Sequence, residues 1–235
     1  MQVSGKKALV FGGTSGIGLA ATCQLAELGA EVIAISRDPS RAGDVPKNVT
    51  LQACDVRDRE AMQALFAQHA PFDVLISAAT GGDRALGPFL DMEMDGFVGS
   101  FDKLWGYANV VRYGTSHLTE QGSIVLVSGS PARKAKSGQI SLASVGGAVE
   151  AFVRSVAMEI APRRINTVSP GTIDTPMSAL TGKEREQHFE KLTSPHLIPR
   201  AGLPDEVAKA IIFMVENDFV TGTTIDVDGG WLLGK

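Results

Sequence analysis

The feature that most constrains this chain is a short apolar run that breaks into glycines. Ala8-Leu9-Val10-Phe11 is continuous rather than alternating, the pattern of a strand covered on both faces. Gly12-Gly13-Thr14-Ser15-Gly16-Ile17-Gly18 follows, then a helical stretch from Leu19 to Leu28, stopped by Gly29 at a C-cap position. In such a turn Gly12 permits the tight bend, Gly16 lets the backbone approach a diphosphate, and Gly18 lets the helix pack close to the sheet. Free amides and the helix dipole then favour the anion. Glycines also mark ordinary turns, so it is the flanking strand and helix that point to a nucleotide.

The rest of the chain repeats this alternation. Strands are expected at Glu31–Ile35, Val49–Ala53, Asp73–Ile76, Ser123–Val127, Ile165–Val168 and Thr223–Val227. Helices are expected over 58–68, 95–117, 141–160 and 204–216. Alternation throughout predicts an α/β chain with a doubly wound parallel sheet, a Rossmann-type arrangement with helices on both faces. No linker, low-complexity tract or repeat interrupts it, so residues 1–235 read as a single domain. Residues 174–200 show no clear element, and a loop of that length in a compact domain is usually functional, here a candidate substrate lid.

Composition narrows the partners. The formal net charge of −4 and a pI near 5.6 give no support for nucleic acid, whose footprint is a basic stripe. Cys23 and Cys54 lack metal-ligand spacing and read as small core residues in a reducing compartment. No combination of histidines and acids is spaced for a metal either. No apolar run reaches the roughly 18 residues of a membrane span, and no apolar leader precedes Lys6-Lys7. The expectation is a soluble, cytoplasmic protein with a small-molecule substrate, binding neither nucleic acid nor membrane.

Two further positions bear on the nucleotide. An NAD-selective site places an acid at the end of the second strand, whereas this chain has Ser36-Arg37. A guanidinium there can pair bidentately with a 2′-phosphate, which predicts NADP(H) over NAD(H). The alternative is a solvated arginine beside Asp38. Asp55 can accept from an adenine amine or can cap the helix that begins near Asp58.

Taken together these blocks resemble the short-chain dehydrogenase/reductase family over nearly the whole chain. Gly12 to Gly18 is similar to its glycine motif and Cys54-Asp55-Val56 to its adenine-side acid. Ser77-Ala78-Ala79-Thr80 stands where the family has Asn-Ala-Gly, and Ser169-Pro170-Gly171-Thr172-Ile173-Asp174-Thr175-Pro176 resembles the segment that holds the nicotinamide carboxamide. Thr221 to Gly230 resembles the family's closing strand and turn. The resemblance implies a seven-stranded sheet and a nicotinamide coenzyme. Its contacts would be Gly12, Thr14, Ser15, Gly16, Ile17, Gly18, Ser36, Arg37, Asp55, Val56, Ala78, Ala79, Pro170, Gly171, Ile173 and Thr175. It also implies a homodimer or homotetramer built through the long helices, or a hetero-oligomer with an active paralogue.

The catalytic positions depart from the family. Where it carries Tyr-x-x-x-Lys this chain has Ser141-Leu142-Ala143-Ser144-Val145, and its two tyrosines, Tyr107 and Tyr113, lie on an earlier helix. Gly129 is the direct counterpart of the catalytic serine, with Ser128 and Ser130 on either side, and Lys103 stands for the active-site asparagine. Ser141 is too short and too weakly acidic to replace a phenol. Lys103 is the best substitute, since desolvation can bring its pKa into a useful range. Tyr107 lies one helical turn away and is either a partner for it or an aromatic at a dimer interface. His188 and His196 in the candidate lid are further possible acids. The candidate catalytic set is therefore Lys103, Ser128 and Ser141. The expected function is an NADP(H)-dependent oxidoreductase of a small carbonyl or alcohol with a degenerate site. The alternatives are a silent NADP(H)-binding pseudoenzyme and a non-redox lyase or isomerase in the same pocket. Gly146-Gly147 in mid-helix costs about 2 kcal/mol of propensity, which close packing can offset.

Overall fold

The computed structural model describes residues 1–80 and 84–234. The chain runs β1 (Lys7–Phe11), α1 (Gly16–Glu27), β2 (Glu31–Ser36), β3 (Val49–Ala53), α2 (Arg59–His69) and β4 (Phe72–Ser77). It continues through α3 (Met94–Ser100), α4 (Asp102–Gly114), β5 (Leu118–Val127), α5 (Ile140–Ile160) and β6 (Arg164–Pro170). It ends with α6 (Gly182–Thr193), α7 (Pro204–Glu216) and β7 (Thr224–Val227). All seven strands join one parallel sheet in the order β3-β2-β1-β4-β5-β6-β7. The seven-stranded Rossmann-type sheet expected from the sequence is the one found.

The period of two along a strand explains the layers. Ala8 and Val10 of β1 point into an apolar cluster that includes Leu25 of α1 and Val207 and Ile211 of α7. Leu9 and Phe11 point the other way, into a cluster with Phe66 of α2, Tyr107 of α4 and Val149 of α5. Each fully buried side chain of this kind contributes about 1.5–3 kcal/mol. The strand order reverses between β1 and β4, and the crevice outside their carboxyl ends is where such sheets bind ligands.

Several boundaries differ from the sequence reading, each for a local reason. α1 begins at Gly16 rather than Leu19, because packing overrides the poor helix propensity of its glycines. The single helix expected over 95–117 is two, broken at Phe101 and ending at Gly114. The Ser100 hydroxyl donates to the Gly96 carbonyl at 2.8 Å and accepts from the Ala85 amide at 3.0 Å, competing with the helix ladder. β5 starts at Leu118 because a bulge separates the Leu118 pairing from the regular register that resumes at Ser123. Residues 174–200 contain α6, hidden in the sequence by a charged surface that buries only Thr193. α5 is also long and apolar enough to cross a membrane by length and composition, contrary to the expectation that no segment would be. Its Val145, Val149 and Val153 are buried in the fold.

Candidate functional site

The turn after β1 is shaped by contacts that only glycine tolerates. Gly12 has φ +74°, and a Cβ there would lie 2.7 Å from the Ala79 amide nitrogen. A Cβ on Gly18 would lie 2.0 Å from the Gly12 carbonyl oxygen, so the helix start and the turn lock onto each other. Backbone bonds stitch the turn to its neighbours: the Gly12 amide donates to Ile35, and the Ala78 amide donates to Phe11. The first turn of α1 has no side-chain cap and no acidic residue, so it leaves its amides available to an anion.

The other candidate coenzyme contacts gather at the same edge of the sheet, on the carboxyl ends of β2, β3, β4 and β6. The Ser36 hydroxyl is buried without a hydrogen-bond partner among the described residues, and Arg37 beside it is exposed. Asp55 accepts from the Arg57 amide at 2.9 Å. The cap of α2 is Asp58, whose carboxylate accepts from the Ala61 amide at 3.0 Å, so the capping alternative for Asp55 does not hold. Gly171 follows β6, its amide donating to the Val227 carbonyl. Thr175 packs 3.5 Å from where a Cβ on Gly16 would lie, which brings the 170–175 segment against the glycine turn. The uncapped start of α1, the unpartnered Ser36 hydroxyl and the exposed Arg37 suit a nicotinamide dinucleotide.

The side that carries Lys103, Ser128 and Ser141 is arranged differently. The Lys103 ammonium donates to the Ser128 carbonyl at 2.9 Å and lies 5.6 Å from the Tyr107 ring centroid. Burial, reinforced by the Arg84 guanidinium, draws its pKa down to about 7. Tyr107 is fully buried inside its own chain and donates to the Val127 carbonyl at 2.9 Å, so it is not an interface aromatic. Burial holds its hydroxyl well above the ordinary phenol range, against the opposing pull of that hydrogen bond and of Arg84. The Ser128 hydroxyl donates to Glu150 at 3.2 Å, and the Ser130 hydroxyl reaches toward the Ser169 carbonyl at 3.5 Å. Ser141 is fully buried, its hydroxyl donated to the Ala85 carbonyl, and Val145 is buried as well.

A family model described as enoyl-(acyl carrier protein) reductase matches residues 12–232. The chain belongs to the short-chain dehydrogenase/reductase family of oxidoreductases. It is 32% identical to a 3-oxoacyl-[acyl-carrier-protein] reductase of Thermotoga maritima, over 99% of this chain and 100% of that one. Among solved structures it resembles a small-chain dehydrogenase in complex with NADPH, with TM-score 0.83, 29% identity, and 98% and 100% of the two chains covered. It also resembles the Thermoplasma acidophilum aldohexose dehydrogenase, with TM-score 0.89, 27% identity, and 99% and 96% covered.

Residues 139–150 contain neither tyrosine nor lysine in any register. Sequence reasoning missed three groups that the fold brings to the serine turn: Glu150, Arg133 and Asp226. Glu150 carries the one faint signal, an acid on an otherwise apolar stretch of helix. In the 174–200 segment, Arg185 ties itself to Asp174 and to the Ser178 and Leu180 carbonyls, the last two at 2.8 and 2.9 Å. His188 is exposed, whereas His196 is buried, its ring charge disfavoured by that burial. The Met177 and Leu197 side chains remain exposed.

Proposed function

We propose that this protein is an NADP(H)-dependent reductase of small carbonyl compounds in which Lys103 performs the proton transfer. The observation that carries the reading is the Lys103 amine, held beside Ser128 with a pKa drawn to about 7, where both protonation states are populated near neutrality. The coenzyme's diphosphate would rest on the amides of Gly12 and Thr14 to Gly18, its 2′-phosphate on Ser36 and Arg37, and its adenine beside Asp55 and Val56. Ala78 and Ala79 would line the ribose, and Pro170, Gly171, Ile173 and Thr175 would hold the nicotinamide. When bound, the coenzyme supplies or accepts the hydride.

The Lys103 ammonium gives a proton to the carbonyl oxygen, and its amine takes one back in alcohol oxidation. Ser128 and Ser141 act as struts, since both hydroxyls are already committed to Glu150 and Ala85. Residues 174–200 close over the substrate and exclude water. NADPH oxidation with a panel of small ketones and aldehydes tests the reading. Lys103→Ala should lower turnover about 100-fold while leaving coenzyme affinity within about threefold. Reduction should fall as pH rises through about 7, because the ammonium is the donor, and oxidation should rise over the same interval. Equal turnover in Lys103→Ala and the unmodified protein would overturn the assignment. A second reading, a coenzyme-binding subunit without turnover, is favoured by the enclosure of Ser141 and Val145, which leaves α5 with no acid–base group for the crevice.

A further inference from the structure

A chain of polar contacts runs from Lys103 through the serine turn to the far edge of the sheet. Lys103 donates to the Ser128 carbonyl at 2.9 Å, and the Ser128 hydroxyl donates to one Glu150 oxygen at 3.2 Å. The second Glu150 oxygen accepts from Arg133 Nε at 3.2 Å, and Arg133 Nη1 donates to Asp226 of β7 at 2.8 Å. Glu150 is 6% exposed, and burying a carboxylate is costly unless it is paired and hydrogen-bonded. The backbone prepares the contact. Gly146 lies one helical turn before Glu150, and a Cβ there would come within 2.9 Å of Ala132 and 3.3 Å of the Gly129 carbonyl. The notch lets the 129–133 turn settle directly on α5, within reach of Glu150.

We propose that Glu150 is the positioning residue of this site: it ties the Ser128 turn to α5 and, through Arg133 and Asp226, to β7, and thereby fixes where Lys103 docks. The inference deepens the Lys103 reading and concerns the same site. On α5 the family's tyrosine and lysine are gone, and the next buried polar group on that helix, Glu150, orients the substitute amine from behind. Glu150 touches neither substrate nor coenzyme in this role.

Glu150 and Arg133 carry opposite charges, so removing each is expected to move the Lys103 titration in opposite directions if the pair positions the amine. Among the described residues, Arg84 and Tyr107 face Lys103, and both are untouched by the substitutions. The measurement is the Lys103 titration, followed by carbon NMR in full-length coenzyme-free protein carrying ε-13C lysine, with Lys103→Arg to assign the signal. Glu150→Gln should lower the midpoint by about half a pH unit or more, since Arg133 is left without its partner. Arg133→Gln should raise it by a similar amount, and Glu150→Asp should restore it. Should Glu150→Gln fail to fold, Asp226→Asn provides the same downward sign from the protein's edge. Shifts of both charge variants toward the ordinary lysine value, or no shift in either, would overturn the proposal. Because this titration needs no turnover, opposed shifts in a protein that never oxidises NADPH would leave the positioning role standing and sink only the reductase reading.

Discussion

The two sides of the switch point solve their tasks with different materials. The β1–α1 side grips through backbone: glycines at 12 and 18 whose missing Cβ atoms make room for neighbouring main chain, and amides that need no particular side chain beyond them. The side formed by α4, the serine turn and α5 relies on side chains: Lys103 donates to the Ser128 carbonyl, and the Ser128 hydroxyl, Glu150 and Arg133 are linked in turn. A site made of backbone tolerates little change because any added atom collides. A site made of side chains can be rebuilt from other elements while the sheet stays as it was. That asymmetry fits the proposal of a backbone cradle beside a side-chain site that has been rebuilt.

Substitutions in the two regions sharpen the contrast. The largest effect is expected for Gly18→Ala, whose methyl would lie 2.0 Å from the Gly12 oxygen. It should cost about 3 kcal/mol or more and abolish coenzyme binding, as read by thermal unfolding and calorimetry. Near-normal binding would show that the turn is more pliant than its contacts imply. Arg37→Ala should weaken NADPH about 10-fold to 100-fold and leave NADH unchanged, the expected loss for hydrogen bonds to a charged group. Equal weakening of both coenzymes would assign Arg37 to the turn instead of the 2′-phosphate. On the other side, Tyr107→Phe should lose about 1–2 kcal/mol of stability with an unaltered pH–rate profile. A displaced profile would return Tyr107 to the chemistry. The smallest effect belongs to Gly147→Ala, where a Cβ meets no atom within 4 Å. It should raise stability by about 0.5–1 kcal/mol, and a loss instead would mean that this face of α5 is covered in solution.

What the sequence disclosed follows the same divide. Strand positions, the glycine turn and its place between β1 and α1 were readable because period and glycine spacing are local signals. The break at Phe101 was not, because it depends on Ser100 meeting Ala85 across a loop. α6 was obscured by a surface of charges, and its hold on the fold is Arg185 reaching back to Asp174. That α5 opens without tyrosine or lysine was visible, but the destination of the Ser141 hydroxyl was not. Nothing in residue spacing links Arg133, Glu150 and Asp226, which are brought together by three different elements.

The enclosure of Ser141 has a bearing on redesign. Its hydroxyl is spent on the Ala85 carbonyl and its side chain has no free surface, while Val145 is 4% exposed. A phenol and a long amine placed at these two positions would have to displace packed neighbours before meeting any ligand, the overfilling that usually costs about 1–3 kcal/mol. Installing a tyrosine and a lysine at 141 and 145 would thus take more than two substitutions, because the packing around both positions leaves them no room.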